Sequence, residues 1–510
     1  MLRLVLACLA LATASAVRVA AAPAPVRIDA GLLQGVAEST TAGDAVAYKG
    51  VPYAAPPVGP LRWRPPHPVA TWTGVRQANA FGAVCPQKSG MGLPVGAVQS
   101  EDCLTLNVWT PAYRTRHAPV LIWIHGGGDD SGTASQPQFD GAPFARDGFI
   151  FVSVDYRLGA LGWFAHPALT REAPADAPLA NYGLMDVIAA LQWIRRNIAA
   201  FGGDPSRITL AGESAGGESV LFLMTSPAAK GLFAQAIVES GSAWYDYPTL
   251  AKAEAEGAAL AKRAGAPDAA DATALRALSV DKLLAGQGYG VGVTLDGRLV
   301  TSALARAFAS GRAAPVPLLI GSNSGEDSLL GASDPTVILK DYTADQLAAL
   351  RAAYGAEAPD DAALGRAIFR DSWMGAPARW YAAHQSAHAP TFLYQFGYVP
   401  QVLRSRRSAA GHGFEMLFVF EALARAPIPL PALAADQTEM SLVHGCWASF
   451  VRTGAPACPN GPTWPAYSPN SDQLMLFGSA ATSVATGFRK DAYGILDRIE
   501  EAGLARSNPR

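Results

Sequence analysis

Five residues carry the first chemical signal: Gly212-Glu213-Ser214-Ala215-Gly216 sets a serine between two glycines. Arg207 to Ala211 before it suits a strand, and the residues from Gly216 onward suit a helix. A serine at a sharp strand-to-helix turn is strained and exposed, and flanking glycines leave room for that turn. The following helix aims its positive end at the same spot. A serine attacking a carbonyl creates an oxyanion, which needs backbone donors. His125-Gly126-Gly127-Gly128 follows the apolar run Pro119–Ile124, and its glycines let N–H groups approach a reacting oxygen. Gly127, Gly128 and Ala215 are the expected donors. A triple glycine could instead cradle a phosphate, but the Lys-Ser/Thr that completes such a loop is missing. The chemistry expected is acyl transfer through a serine, with no metal or cofactor required.

Such a serine needs a base, and the base needs an acid to orient it. With the serine on this kind of turn, the chain order is nucleophile, acid, histidine. Of the eight histidines, only His384, His388, His412 and His444 come late enough. His384 and His388 belong to a helical stretch, and His444 lies inside an expected helix over 438–451. His412, in Ala410-Gly411-His412-Gly413-Phe414-Glu415, sits in a loop beyond the strand-like run Thr391–Phe396 and is the expected base. The acid is expected just after the run ending at Ile320: Glu326, with the adjacent Asp327 as the alternative.

Residues this far apart need a scaffold that delivers them to one edge. Pro119–Ile124, Phe149–Val154, Arg207–Ala211, Ala236–Val238, Val316–Ile320 and Thr391–Phe396 read as buried strands. Helical spacing separates them, clearest over Asp186–Ala199, where Val187, Ala190, Leu191, Ile194 and Ile198 share a face. The alternation predicts a mostly parallel central sheet covered by helices, with chemistry at the carboxyl ends of its strands. The Ala-rich segments 246–315 and 340–390 read as helical insertions capping the active site.

Over the whole chain, 510 residues with 50% hydrophobic and 16% charged composition suit a globular protein. No linker, charge run or repeat divides it, so 23–510 reads as one domain. With 40 basic and 42 acidic residues interspersed, a nucleic-acid partner is not expected. Residues 1–22 read as a signal peptide: Arg3, the apolar stretch Leu4–Ala12, then small residues permitting cleavage after Ala16 or Ala22. No later run reaches the roughly 18 apolar residues of a membrane span. Export is expected, and the lack of any Asn-x-Ser/Thr site favours a bacterial periplasm or medium. Beyond the signal lie Cys85, Cys103, Cys446 and Cys458, an even number that favours disulfides, with neighbour pairing the most local of three connectivities. No cysteine–histidine spacing suits zinc. A monomer or weak oligomer is expected.

Longer motifs point to a family. Tyr48–Gly59, Ser100–Trp109, Asn181–Asp186, Phe201–Pro205 and Gly212–Gly217 together resemble the type-B carboxylesterases, the group that includes cholinesterases and bacterial para-nitrobenzyl esterases. The resemblance runs from about Val26 to the carboxyl terminus. It implies an α/β-hydrolase fold and cleavage of small-molecule carboxylic esters by Ser214, Glu326 and His412, with Glu213 and Ser240 in support. It also implies a Cys85–Cys103 disulfide, and says little about Cys446 and Cys458. Amides, carbamates or lipid esters are alternative substrates, and a non-catalytic binding module is the remaining alternative.

Three positions depart from the family pattern. Asp327 replaces the usual glycine after the acid, and Glu239 stands where glutamine is common. Asp129-Asp130 follows the glycine loop where an aromatic usually begins. Either these two carboxylates turn to solvent or into salt bridges, or they bias the pocket toward neutral polar or cationic acyl groups. Trp244, Tyr245 and Tyr247 are candidates for lining the acyl pocket, or plain core.

Overall fold

The computed structural model describes residues 23–506 except 41–42, 89–92, 114, 245–246 and 289–291. The expected signal segment 1–22 and Tyr245 therefore lie outside the described residues.

From its amino end the chain lays down β1 (Val26–Ile28), β2 (Gly31–Gln34), β3 (Val36–Thr40), β4 (Gly43–Pro52) and β5 (Val75–Gln77). Strands β1, β2 and β5 form a small separate sheet. Then come β6 (Thr105–Pro111), β7 (Ala118–Ile124), β8 (Ile150–Val154), β9 (Gly203–Glu213) and β10 (Gln235–Glu239). The last are β11 (Leu318–Asn323), β12 (Thr391–Gly397), β13 (Gln473–Gly478) and β14 (Thr482–Thr486). These nine join β3 and β4 in an eleven-stranded sheet of order β14-β13-β12-β11-β10-β9-β7-β8-β6-β4-β3. From β8 through β13 every pairing is parallel. The outer pairings are antiparallel. This is the α/β-hydrolase architecture, with a mostly parallel centre.

The apolar strands bury both faces. Along β7, Val120, Ile122 and Ile124 enter one core while Leu121 and Trp123 enter the other. That period-2 division is what a continuous apolar run produces in a sheet covered on both sides. The helix expected over Asp186–Ala199 spans Tyr182–Asn197. Asp186 on it is buried and grips Arg157 through two side-chain hydrogen bonds of 2.7 Å, fixing the segment after β8 to the helix. Helices Leu250–Arg263, Ala272–Arg276, Val280–Gly286 and Leu304–Ala309 fill the first insertion. Ala344–Tyr354, Asp361–Arg370 and Ala376–Gln385 fill the second. The first insertion is tied back at Thr294, whose N–H donates to Asn181 Oδ1 at 2.8 Å while its carbonyl accepts from Asn181 Nδ2 at 2.9 Å.

Both neighbour cysteine pairings are formed, Cys85–Cys103 and Cys446–Cys458. The second clips the helix Ala434–Thr453 to the segment that follows it. Among the described residues no helix is long and apolar enough to cross a membrane.

Candidate active site

The residues singled out above meet at the carboxyl edge of the sheet. Ile124 ends β7 and opens the glycine loop, and Glu213 ends β9 beside Ser214. Ser240 follows β10, Glu326 follows β11, and His412 lies in the connection beyond β12.

Ser214 has φ 55° and ψ −129°, a strained conformation for a residue with a side chain. It is held by its N–H donating to the Glu239 carbonyl and by its own carbonyl accepting from Glu218 N–H, both at 2.9 Å. Crowding explains the flanking glycines: a Cβ on Gly216 would lie 2.1 Å from the Ile124 carbonyl oxygen, and one on Gly212 would lie 2.5 Å from Gly216. The glycine loop presses on this turn, since a Cβ on Gly126 would come within 2.9 Å of Ser214 Cβ. Gly127 and Gly128 have φ of 116° and 63° and are exposed. The Gly127 carbonyl is tied back by Ser131, through N–H at 3.1 Å and Oγ at 2.8 Å. The helix Ala215–Thr225 starts at Ala215 with no side-chain cap, which leaves its first N–H groups free to face a ligand.

His412 Nδ1 bonds Glu326 Oε2 at 2.6 Å, so the expected base and acid are in direct contact. Glu326 is fully buried, and its Oε1 accepts from Ser240 Oγ and Asn323 N–H, each at 2.6 Å. Asp327 points elsewhere, toward Arg366 at 3.9 Å. The free nitrogen of His412, Nε2, has no hydrogen-bond partner, and Glu213 Oε1 stands 3.1 Å from it, outside bonding geometry. Glu213 is the residue before Ser214, so Nε2 lies beside the side chain that immediately precedes the nucleophile. No hydrogen bond joins Ser214 to His412 among the described residues. Catalytic bonds of this type commonly close only around bound substrate. Burial works against a cationic His412, but Glu213 and Glu326 outweigh it and raise its pKa above the ordinary histidine value.

Further acids crowd the site. Glu415 is fully buried and accepts from Ser240 Oγ at 3.3 Å and from Asn323 Nδ2. Burial first, then Glu213 and Glu326, push it up to about 8. Glu239 is also buried; its Oε1 accepts from Trp447 Nε1 at 2.7 Å, and burial, then Glu415, hold it well above the carboxylate range. Burial lifts Glu213 itself to about 7. Glu415 went unassigned in the sequence although it lies three residues after His412. Nothing in its local pattern reveals that Asn323 and Ser240, from β11 and the end of β10, will enclose it.

The other expected positions resolve as follows. His444 is buried, bonded through Nδ1 to the Val419 carbonyl at 2.7 Å and through Nε2 to Asp147 at 3.1 Å, a structural latch. His125 is buried and stacked on Tyr156 at 4.6 Å, and burial lowers its pKa to about 4. Its Nδ1 meets the Gly126 carbonyl at 2.8 Å, while Tyr156 donates to the His125 carbonyl at 2.7 Å, which steadies the glycine loop. Asp129 is buried and forms no salt bridge among the described residues, contrary to the solvent-turned reading, and Asp130 is half-buried. Trp244 and Tyr247 are half-buried, and the Tyr247 hydroxyl donates to Glu218 at 2.6 Å.

A sequence model of the carboxylesterase family matches residues 22–496. Fumonisin B1 esterase of Sphingopyxis macrogoltabida is 34% identical over 463 residues, covering 86% of this chain and 85% of that protein. Para-nitrobenzyl esterase of Bacillus subtilis (strain 168) is 34% identical over 479 residues, covering 88% and 94% respectively. A solved para-nitrobenzyl esterase superposes with a TM-score of 0.80 at 31% identity, over 92% of this chain and 99% of that one.

Proposed function

The chain belongs to the carboxylesterase family and is a carboxylic ester hydrolase, and from that premise we propose that it cleaves its ester through an acyl-enzyme on Ser214. His412 Nε2 takes the serine proton as the hydroxyl attacks the ester carbonyl, then returns it to the departing alcohol. Water, deprotonated by the same nitrogen, releases the acid. Glu326, bonded to Nδ1, fixes the tautomer and stabilises the imidazolium. The N–H groups of Gly127, Gly128 and Ala215 receive the oxyanion; losing one such donor typically costs about 3 to 4 kcal/mol of transition-state stabilisation. The observation that carries this reading is the 2.6 Å His412–Glu326 contact beside the strained Ser214 turn.

Residues 23–510 are read as a single hydrolase domain, supported by the reach of the family match. Export after cleavage of residues 1–22 is part of the same proposal, supported by the two disulfides, which persist in oxidising compartments. The substrate is a small-molecule ester.

A panel of 4-nitrophenyl esters of varied acyl length and ring content, with one 4-nitroanilide, tests the reading in the parent and in Ser214→Ala. Esters are expected to turn over and the anilide to lag far behind, with Ser214→Ala lowering kcat by roughly a thousandfold or more. Full activity in the alanine variant would sink the scheme, and an anilide cleaved as fast as the esters would make the protein an amidase.

A further inference from the structure

We propose that Asp129 and Glu218 together bind an ammonium group of the substrate, so that the enzyme selects esters carrying a positive charge a short chain from the scissile carbonyl. The inference rests on Ser214 being the nucleophile and adds a specificity determinant to that reading.

Position comes first. Asp129 directly follows the oxyanion loop, and Glu218 lies one helical turn beyond Ser214, with its N–H bonded to the Ser214 carbonyl at 2.9 Å. Four residues rise about 6 Å along a helix, which places the Glu218 backbone one turn from the nucleophile. Burial holds the Asp129 carboxyl well above the usual carboxylate range, and the nearby Glu218 and then Asp130 add to it.

Some other buried acids of the site are supplied with donors, while Glu239 Oε2 lacks a partner. Glu326 accepts from His412, Ser240 and Asn323, and Asp155 accepts from Thr133 Oγ1 and Ala134 N–H, both at 2.8 Å. Asp129 is only 6% exposed, and its Oδ1 has no hydrogen-bond partner. Its other oxygen faces Gly292, where an added Cβ would come within 3.1 Å of Oδ2. Glu218 is half-buried and receives the Tyr247 hydroxyl. Among the described residues neither acid forms a salt bridge, and the lysine felt by this cluster, Lys88, acts on Asp130. A buried carboxylate without a donor is costly. An alkylammonium, with three donors and one charge, satisfies both acids at once. The resulting site favours cationic esters, tolerates neutral ones and rejects those bearing a second carboxylate.

The test compares isosteres that differ in charge. On the acyl side, kcat/KM is measured for 4-nitrophenyl 6-aminohexanoate, 4-nitrophenyl heptanoate and the 4-nitrophenyl half-ester of pimelic acid. On the alcohol side, 6-aminohexyl butanoate is compared with heptyl butanoate by titrating the acid released. The parent is expected to prefer the ammonium member on one arm by on the order of tenfold to a hundredfold, the range of one charge-assisted hydrogen bond, and that arm identifies the part of the substrate that reaches the pair. In Asp129→Asn/Glu218→Gln, or in Glu218→Gln alone if the double variant does not fold, the ammonium-to-neutral ratio is expected to collapse toward one, whatever the absolute rates. A parent ratio of one or below on both arms, or a ratio that survives the substitutions, overturns the inference. Loss of all hydrolysis in Ser214→Ala with no charge preference in the parent would retain the nucleophile and discard only the ammonium site.

Discussion

Glu213 makes no hydrogen bond to His412, yet its Oε1 lies 3.1 Å from Nε2, so its charge acts on the imidazole across open geometry. At that separation an opposite charge favours the protonated ring, and His412 accordingly stands above the ordinary histidine value even though burial opposes it. A base protonated at neutral pH is unavailable to Ser214, so kcat/KM should rise with pH through an acid limb above pH 6.5. Removing the negative charge destabilises the imidazolium and lowers its pKa. Glu213→Gln is therefore expected to move the acid limb of the pH–kcat/KM profile downward by about one unit or more, and an unmoved limb would show that Glu213 does not set the charge of the base. At this scale chain order narrowed the candidates to Ser214, His412 and the adjacent pair Glu326 and Asp327, and the family resemblance favoured Glu326. The sequence was silent where burial decides a role. Glu415 and Glu218 read as ordinary polar residues, because their importance comes from which other elements enclose them.

Among the elements, β10 and the helix Ala434–Thr453 bear most directly on the site. Strand β10 presents Glu239 to both neighbours, paired with Glu213 of β9 and Gly321 of β11. Its side chain reaches Trp447 on the helix, with Oε2 buried and unpartnered. Burial, then the nearby Glu415, hold this acid well above its unfolded value of 4.5. A raised carboxyl pKa contributes stability that is complete below pH 4.5 and is lost as pH rises toward the folded-state value. Glutamine keeps an acceptor for Trp447 and never ionises. Glu239→Gln should therefore unfold at a higher temperature than the parent at pH 8, and the gap should shrink or reverse near pH 5. The gain is about 1.4 kcal/mol for each unit by which the pKa is displaced. Equal melting temperatures at pH 8 would contradict the protonated-acid description. The central strands and main helices were legible because their apolar runs are continuous or helically spaced. The hairpin β3–β4, the closing pair β13–β14 and the small sheet of β1, β2 and β5 were not. Those strands are short or partly exposed, for example Val75–Gln77 with all three residues exposed, and only pairing with distant segments makes them strands.

For the molecule as a whole, the two-sided parallel sheet gathers the ends of β7, β9, β10, β11 and β12 at one edge, and that convergence turns residues almost 200 positions apart into one site. The disulfides reinforce the arrangement at its periphery, each closing a short loop worth roughly 3 kcal/mol on the chain-entropy estimate. Counting cysteines left the Cys446–Cys458 pairing as the most local of three connectivities, and the burial of Asp129 and Glu239 became visible only once the layers had assembled. The central claim is that ester cleavage passes through Ser214. It is tested most directly by treating the protein with a 4-nitrophenyl phosphonate and locating the adduct by peptide-mapping mass spectrometry while following residual esterase activity. One phosphonyl group on Ser214, formed in proportion to activity lost and absent in Ser214→Ala, is the predicted result. Complete inactivation with the adduct on any other residue would contradict it.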